Sequence, residues 1–158
     1  MEYTSKEIQL KNGKTCLIRL AEDSDAQMLL EYLKVTAAET RNMGREPEEV
    51  RTSVEEEVEF IRKNRENPRA LHLLAFVDGA FAGSCSFAPV SDRVRERHRC
   101  RMGISLYREF WGMGIGTALM GEILAAAKAV GFEQMELEVV SANAPAVALY
   151  KKMGFEAT

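Results

Sequence analysis

The chain is poor in the residues that build metal sites, disulfide frameworks and membrane spans. Its 158 residues include only two His, three Cys and four Pro. Cys16, Cys85 and Cys100 are odd in number, widely spaced and set in strand-like, partly apolar stretches. Buried, reduced thiols of a cytoplasmic protein are expected, and no metal cofactor. No apolar run approaches the roughly 20 residues that span a bilayer. The opening Met1-Glu2-Tyr3-Thr4-Ser5-Lys6 lacks the charged-then-apolar order of a secretory leader. No membrane partner is therefore expected. Nor is one sign of charge in broad excess. The formal net charge is −3 with the signs interspersed, which removes the basic field that nucleic-acid binding needs. One local basic cluster, residues 93–99, reads as a solvated turn and strand edge. Internal repeats, low-complexity segments and linkers are missing too.

What remains is 46% apolar and 28% charged, the balance of one ordinary globular domain over residues 1–158. A first strand over residues 15–20 follows the turn Asn12-Gly13. Asp23 or Ser24 caps an amphipathic helix with Ala26, Leu29, Leu30, Leu33 and Ala37 on one face. A break over residues 41–47 precedes a second helix, begun by the capping box at Ser53 and stopped by Asn67-Pro68. Two apolar runs, 71–77 and 81–88, flank the hairpin signal Asp78-Gly79, and a third strand covers 98–106. The period then lengthens: Ile115, Leu119, Ile123, Ala127 and Val130 share a helical face that ends at Gly131. Met135, Leu137 and Val139 alternate as a strand, residues 144–153 form a short helix behind the cap Asn143, and Gly154-Phe155 begins an extended piece. This order predicts an α/β (α+β) fold: a mixed, mostly antiparallel twisted sheet with helices on both faces and a parallel strand–helix–strand unit over 98–140.

The segment Phe110-Trp111-Gly112-Met113-Gly114-Ile115-Gly116-Thr117 carries the most chemistry. Three alternating glycines stand between a strand and a long helix, where the backbone can turn tightly and approach a ligand. The unpaired first-turn amides and the positive end of the helix dipole suit an anion, a pyrophosphate above all. A nucleotide P-loop is excluded because no Gly-Lys-Ser/Thr ending follows. A dinucleotide fingerprint is excluded because the third glycine comes one residue early and antiparallel strands precede it.

Residues 98–156 resemble the acetyl-CoA-binding core of the GNAT (GCN5-related) N-acetyltransferase superfamily. Gly114 and Gly116 match the loop pattern Arg/Gln-x-x-Gly-x-Gly/Ala, with Trp111 standing at the Arg/Gln position. A second stretch, Asn143-Ala144-Pro145-Ala146-Val147-Ala148-Leu149-Tyr150-Lys151-Lys152-Met153-Gly154-Phe155, resembles the signature Asn-x-x-Ala-x-x-Leu-Tyr-x-x-x-Gly-Phe. The resemblance implies that Ile104, Ser105 and Leu106 line the pantetheine arm with their backbone. It implies that Gly112, Met113, Gly114, Ile115, Gly116 and Thr117 hold the pyrophosphate, and that Asn143 hydrogen-bonds the cosubstrate. It also implies a further strand after Phe155. The chain ends at Thr158, so that strand is expected to be truncated, or the edge covered by a partner chain such as a second copy.

Acetyl transfer from a thioester needs a neutral amine, whereas a free alkylamine of pKa about 10 is almost wholly protonated near pH 7. A proton acceptor, an acid for the departing thiolate and a donor for the oxyanion are therefore required. Tyr150 is the candidate acid, although Val147, Tyr150 and Met153 also have the spacing of a packed helical face. Glu138, in an otherwise apolar strand, is the candidate base; Glu136 shares its face, so a solvated strand carboxylate is the other reading. His72 and His98 are weaker candidates. Residues 39–66 hold nine acidic and six basic residues, which tilts the acceptor toward a cationic amine of a small molecule or protein. Two other functions stay open: a non-catalytic acyl-CoA-binding or sensing module of the same fold, and a transferase of longer acyl chains.

Overall fold

A computed structural model describes residues 1–39, 53–91, 93–137 and 144–156. The break over residues 41–47, the end of the strand through Val139, and Glu138 and Asn143 lie outside them. Strands β1 (Lys6–Gln9) and β2 (Thr15–Leu20) form a hairpin, followed by helices α1 (Ala26–Glu39) and α2 (Val54–Glu66). Strands β3 (Leu71–Val77), β4 (Ala80–Pro89) and β5 (Arg99–Leu106) form a meander. Helix α3 (Ile115–Val130), strand β6 (Gln134–Glu136) and helix α4 (Ala144–Lys152) follow. The sheet has the order β1-β2-β3-β4-β5-β6. All neighbours are antiparallel except β5 and β6, which run parallel.

Local chemistry explains most boundaries. Asp78 and Gly79 take positive φ values of 50° and 83°, the conformation a two-residue hairpin demands. Ser53 caps α2 by accepting the Glu56 amide at 3.1 Å, replacing one missing intrahelical bond. Gly131, at φ 105°, ends α3 and directs its amide to the Ala127 and Lys128 carbonyls, closing the last turn. At the start of α1 the chain first makes a short 3-10 turn, Asp23–Asp25. Asp25 then accepts the Glu22 amide at 2.7 Å and both Arg19 guanidinium nitrogens at 2.8 and 2.9 Å.

The two sheet faces bury different partners. Ile18, Leu71, Leu73, Phe87, Cys100 and Met102 pack against Ile115, Leu119, Met120 and Ile123 of α3. Leu74 joins Leu29 and Tyr32 of α1 and Ile61 of α2 on the other face. Each fully buried aliphatic side chain contributes about 1.5–3 kcal/mol, so the sheet is clamped from both sides. Strand β1 is unexpected: of Lys6-Glu7-Ile8-Gln9 only Ile8 is partly buried. Backbone pairing with β2, fixed by the turn, makes it a strand where side-chain alternation is faint. Residues 155–156 are not part of a strand. Among the described residues no helix is long and apolar enough to cross a membrane.

Candidate functional site

The Tyr107 amide donates to the Ala82 carbonyl at 2.9 Å, and the Val90 amide to the Arg99 carbonyl at 3.2 Å. In an antiparallel ladder the residues bonded to one neighbour alternate. Odd-numbered positions of β5 therefore face β4, and the amides and carbonyls of Met102, Ile104 and Leu106 face the other way. β6 covers that outer edge only beside Arg99, Cys100 and Arg101. Beyond Arg101 no strand among the described residues covers it. Ile104 and Leu106 thus offer backbone donors and acceptors to a slot where an extended ligand can pair as a strand would. The carbonyl of Leu106 is already engaged by the Trp111 indole N–H at 3.1 Å.

Ser105, between them, turns its backbone toward β4. The Tyr32 hydroxyl bonds both its carbonyl and its hydroxyl. Tyr32 is 1% exposed, its ring held edge-on by Phe81 and Tyr107 at 5.0 and 5.2 Å. Burial pushes its pKa up to about 12. Nothing in the spacing of α1 marks Tyr32 as more than a core residue, because its hydroxyl finds Ser105 only through the tertiary fold.

Immediately above this edge the chain reverses into α3. Gly112 and Gly114 have φ of 79° and 91°, a left-handed backbone that side chains resist. Gly116 is needed for a different reason. A Cβ there would lie 3.3 Å from Leu149 Cδ2 and 3.8 Å from Leu106 Cδ1. Its bareness lets α4, α3 and the end of β5 meet at one point. The amides of Ile115, Gly116 and Thr117 belong to the first turn, which has no intrahelical acceptors. A loop without Cβ bulk at 112 and 114, ending on a helix N-terminus and adjoining a strand edge that no described strand covers, fits a diphosphate joined to an extended amide-bearing arm. Trp111, at the position where the family pattern has Arg or Gln, ties the loop to the edge instead of offering charge.

Tyr150 lies on α4, half-buried against the α3-side core, with its ring 6.1 Å from Phe155. Burial raises its pKa, with Cys85 adding to the shift. Cys85 is the cross-strand partner of Ile104, and Tyr150 packs against the same core cluster as both. Glu136 is settled differently. Arg99 donates to its two oxygens at 2.6 and 2.8 Å, and this pairing lowers its pKa. That carboxylate is committed to holding β5 and β6 together. His72 is 8% exposed, on the sheet face toward α2, with Nδ1 unpartnered among the described residues and its ring 6.0 Å from Phe60. Burial drives its pKa down to about 4. The three cysteines are free and buried, and burial raises all their thiol pKa values, Cys100 to about 11. Among the described residues no group of three or more His, Cys, Asp or Glu could hold a metal ion.

Residues 27–155 match the profile of the acetyltransferase (GNAT) family. An acetyltransferase of the GNAT family from Streptococcus pneumoniae is 31% identical, with a TM-score of 0.85 over 90% of this chain and 85% of that one. A GNAT superfamily phosphinothricin acetyltransferase from Sinorhizobium meliloti, solved in complex with acetyl-CoA, superposes with a TM-score of 0.78 at 22% identity, covering 96% of this chain and 77% of that one. The L-amino acid N-acetyltransferase AaaT of Escherichia coli is 33% identical over 92 residues, which are 58% of this chain and 56% of that protein. The matched segment thus spans little more than half of that curated relative. The outward-facing backbone of Ile104 and Leu106, the glycine-cradled start of α3 and the family profile agree, and the chain belongs to the GNAT family of acetyltransferases.

Proposed function

We propose that the protein transfers an acetyl group from acetyl-CoA to an amine by direct attack of the amine on the thioester. The observation that carries this reading is the continuity of the β5 edge at Ile104 and Leu106, which no strand among the described residues covers, with the glycine turn and first-turn amides of α3. Acetyl-CoA supplies an activated acyl group and a thiolate leaving group. The chain supplies the rest. The Ile104 and Leu106 backbone aligns the extended arm, and a cleft-facing amide on this edge stabilises negative charge developing on the carbonyl oxygen. Residues 112–117 receive the diphosphate, and Asn143 completes the grip.

Tyr150, a phenol that is protonated at neutral pH and whose pKa burial raises further, protonates the departing sulfur. Glu138, directly or through water, accepts the proton that the amine must lose. Direct transfer is favoured over an acyl-cysteine route because the thiols of Cys16, Cys85 and Cys100 are buried with raised pKa values, and a thiol is a weak nucleophile until ionised. The same reduced thiols fit a cytoplasmic protein. The relative named for L-amino acids makes an amino acid the first acceptor class to try; the acidic excess over residues 39–66 extends the panel to polyamines and aminoglycosides. Incubation with acetyl-CoA and such a panel, read by thiol release and by mass of the product, tests the proposal. A gain of 42 Da on one amine with equimolar thiol is the expected result. Tight CoA binding without amine-dependent thiol release would instead favour a sensing module.

A further inference from the structure

Residues 112–117, expected to receive a diphosphate, carry no cation of their own, and the preceding Arg108 lies over the Trp111 ring at 5.6 Å. From Glu109 to Ala118 the only charged side chain is Glu109, and the Arg/Gln position is Trp111. Neutral amides and a helix dipole offset only part of two phosphate charges, and charge-assisted contacts are about twice as strong as neutral ones. A cation reaches this loop from elsewhere in the chain. The β1–β2 turn lies against it, with Asn12 Nδ2 3.7 Å from Met113 Sδ. Lys11 runs along Gly114: a Cβ built there would lie 3.7 Å from Lys11 Cε and 3.9 Å from its Cγ.

The turn that presents Lys11 is firmly built. The Leu10 amide donates to the Lys14 carbonyl at 2.9 Å and the Gly13 amide to the Leu10 carbonyl at 3.0 Å. Asn12 Oδ1 accepts the Lys14 amide at 3.0 Å, and the Leu10 side chain is buried in the core. Whereas Lys6 pairs with Glu122 at 2.8 Å, Lys11 has no carboxylate partner among the described residues. Its exposed stem passes beside Gly114, and it makes no ion pair among the described residues.

We infer that Lys11, delivered by the β1–β2 turn onto Gly114, is the cationic contact for the diphosphate of the acetyl-CoA cosubstrate, in place of the side chain that Trp111 does not supply. The inference rests on the proposed function. It also gives the β1–β2 hairpin a role at a site otherwise built from β5, α3 and α4.

The test is calorimetric titration of CoA and of 3′-dephospho-CoA into the full chain, its Lys11→Ala and Lys11→Arg variants, and Lys14→Ala as a same-turn control. All four should melt alike, because both lysines are exposed. For both ligands, Lys11→Ala should bind about tenfold more weakly at low salt, the deficit shrinking as salt screens the contact. Lys11→Arg and Lys14→Ala should stay within about twofold of wild type. Unchanged affinity in Lys11→Ala would overturn the inference. A deficit for CoA that disappears with 3′-dephospho-CoA would also overturn it, moving Lys11 to the 3′-phosphate. Failure of wild type to bind CoA at all would refute the proposed function, and this inference with it.

Discussion

Two glycines on neighbouring strands make opposite predictions from the same substitution. Gly83 of β4 is in register with Leu106 of β5. A Cβ there would sit 2.4 Å from the Ser105 carbonyl oxygen, 2.4 Å from Leu106 Cδ2 and 2.8 Å from Leu106 Cα. Two of those atoms are backbone, so relief requires the strands to part by about 1 Å where the cleft-facing edge begins. Overpacking of this kind costs about 1–3 kcal/mol, and the backbone contacts place Gly83→Ala at the upper end, about 3 kcal/mol. For a chain of this length that lowers Tm by about 9 °C. Gly103, on β5, has nothing within 4 Å of a built Cβ and no positive φ. Gly103→Ala should be neutral or stabilising by up to about 1 kcal/mol, because it reduces the freedom of the unfolded chain. Scanning calorimetry of both variants, with urea titration as a check, decides the matter. If Gly83→Ala melts within 2 °C of wild type (a window set from the same scaling), the β4–β5 register at the slot is wrong, and with it the assignment of which amides face the ligand.

Tyr150→Phe should lower kcat by about 10²-fold while leaving CoA affinity nearly unchanged, because the hydroxyl acts as the thiolate leaves; steady-state kinetics with unchanged turnover would assign the ring to packing alone. Glu138→Gln should lower kcat near neutrality and recover part of it at high pH, where the amine deprotonates itself; an unaltered pH–rate profile would hand the proton to water. His72 predicts a stability profile. Its folded pKa of about 4 lies below the ordinary 6.5, so the unfolded chain takes up a proton that the folded one refuses. Stability should therefore fall as pH drops from 6.5 to 4, by about 3 kcal/mol in total. His72→Leu should flatten that part of the profile in urea titrations at stepped pH.

Much of the fold was legible because single residues punctuate it. Gly114 and Gly131 bracket α3 and Asp78-Gly79 sets the β3–β4 hairpin through left-handed backbone that few residues adopt, while Ser53 opens α2 through its side-chain cap and Asn67 closes it in extended backbone. The glycine turn into α3 was legible for the same reason, whereas Tyr150 was singled out by the resemblance of residues 143–155 to the family signature. Strand β1 was not, because one apolar residue in four leaves no alternation to read; the Asn12-Gly13 turn, read only as preceding the strand over residues 15–20, was the available signal. Glu136 and Glu138 looked equivalent until the β5–β6 pairing, which sets Arg99 opposite Gln134, let Arg99 reach diagonally to Glu136. The contacts of Tyr32 with Ser105, of Trp111 with Leu106 and of Lys11 with Gly114 join residues distant in the chain or depend on a turn's path, and no local pattern encodes them.

The central claim is that residues 112–117 hold the diphosphate of acetyl-CoA at the start of α3. Titrating CoA into wild type and Gly114→Asp by calorimetry tests it most directly, with circular dichroism confirming that both are folded. The substitution puts a carboxylate and a Cβ where the phosphates are expected, so affinity should fall by about 10²-fold or more, beyond the roughly 2.7 kcal/mol that corresponds to such a factor. A folded Gly114→Asp protein that binds CoA as tightly as wild type would contradict the account.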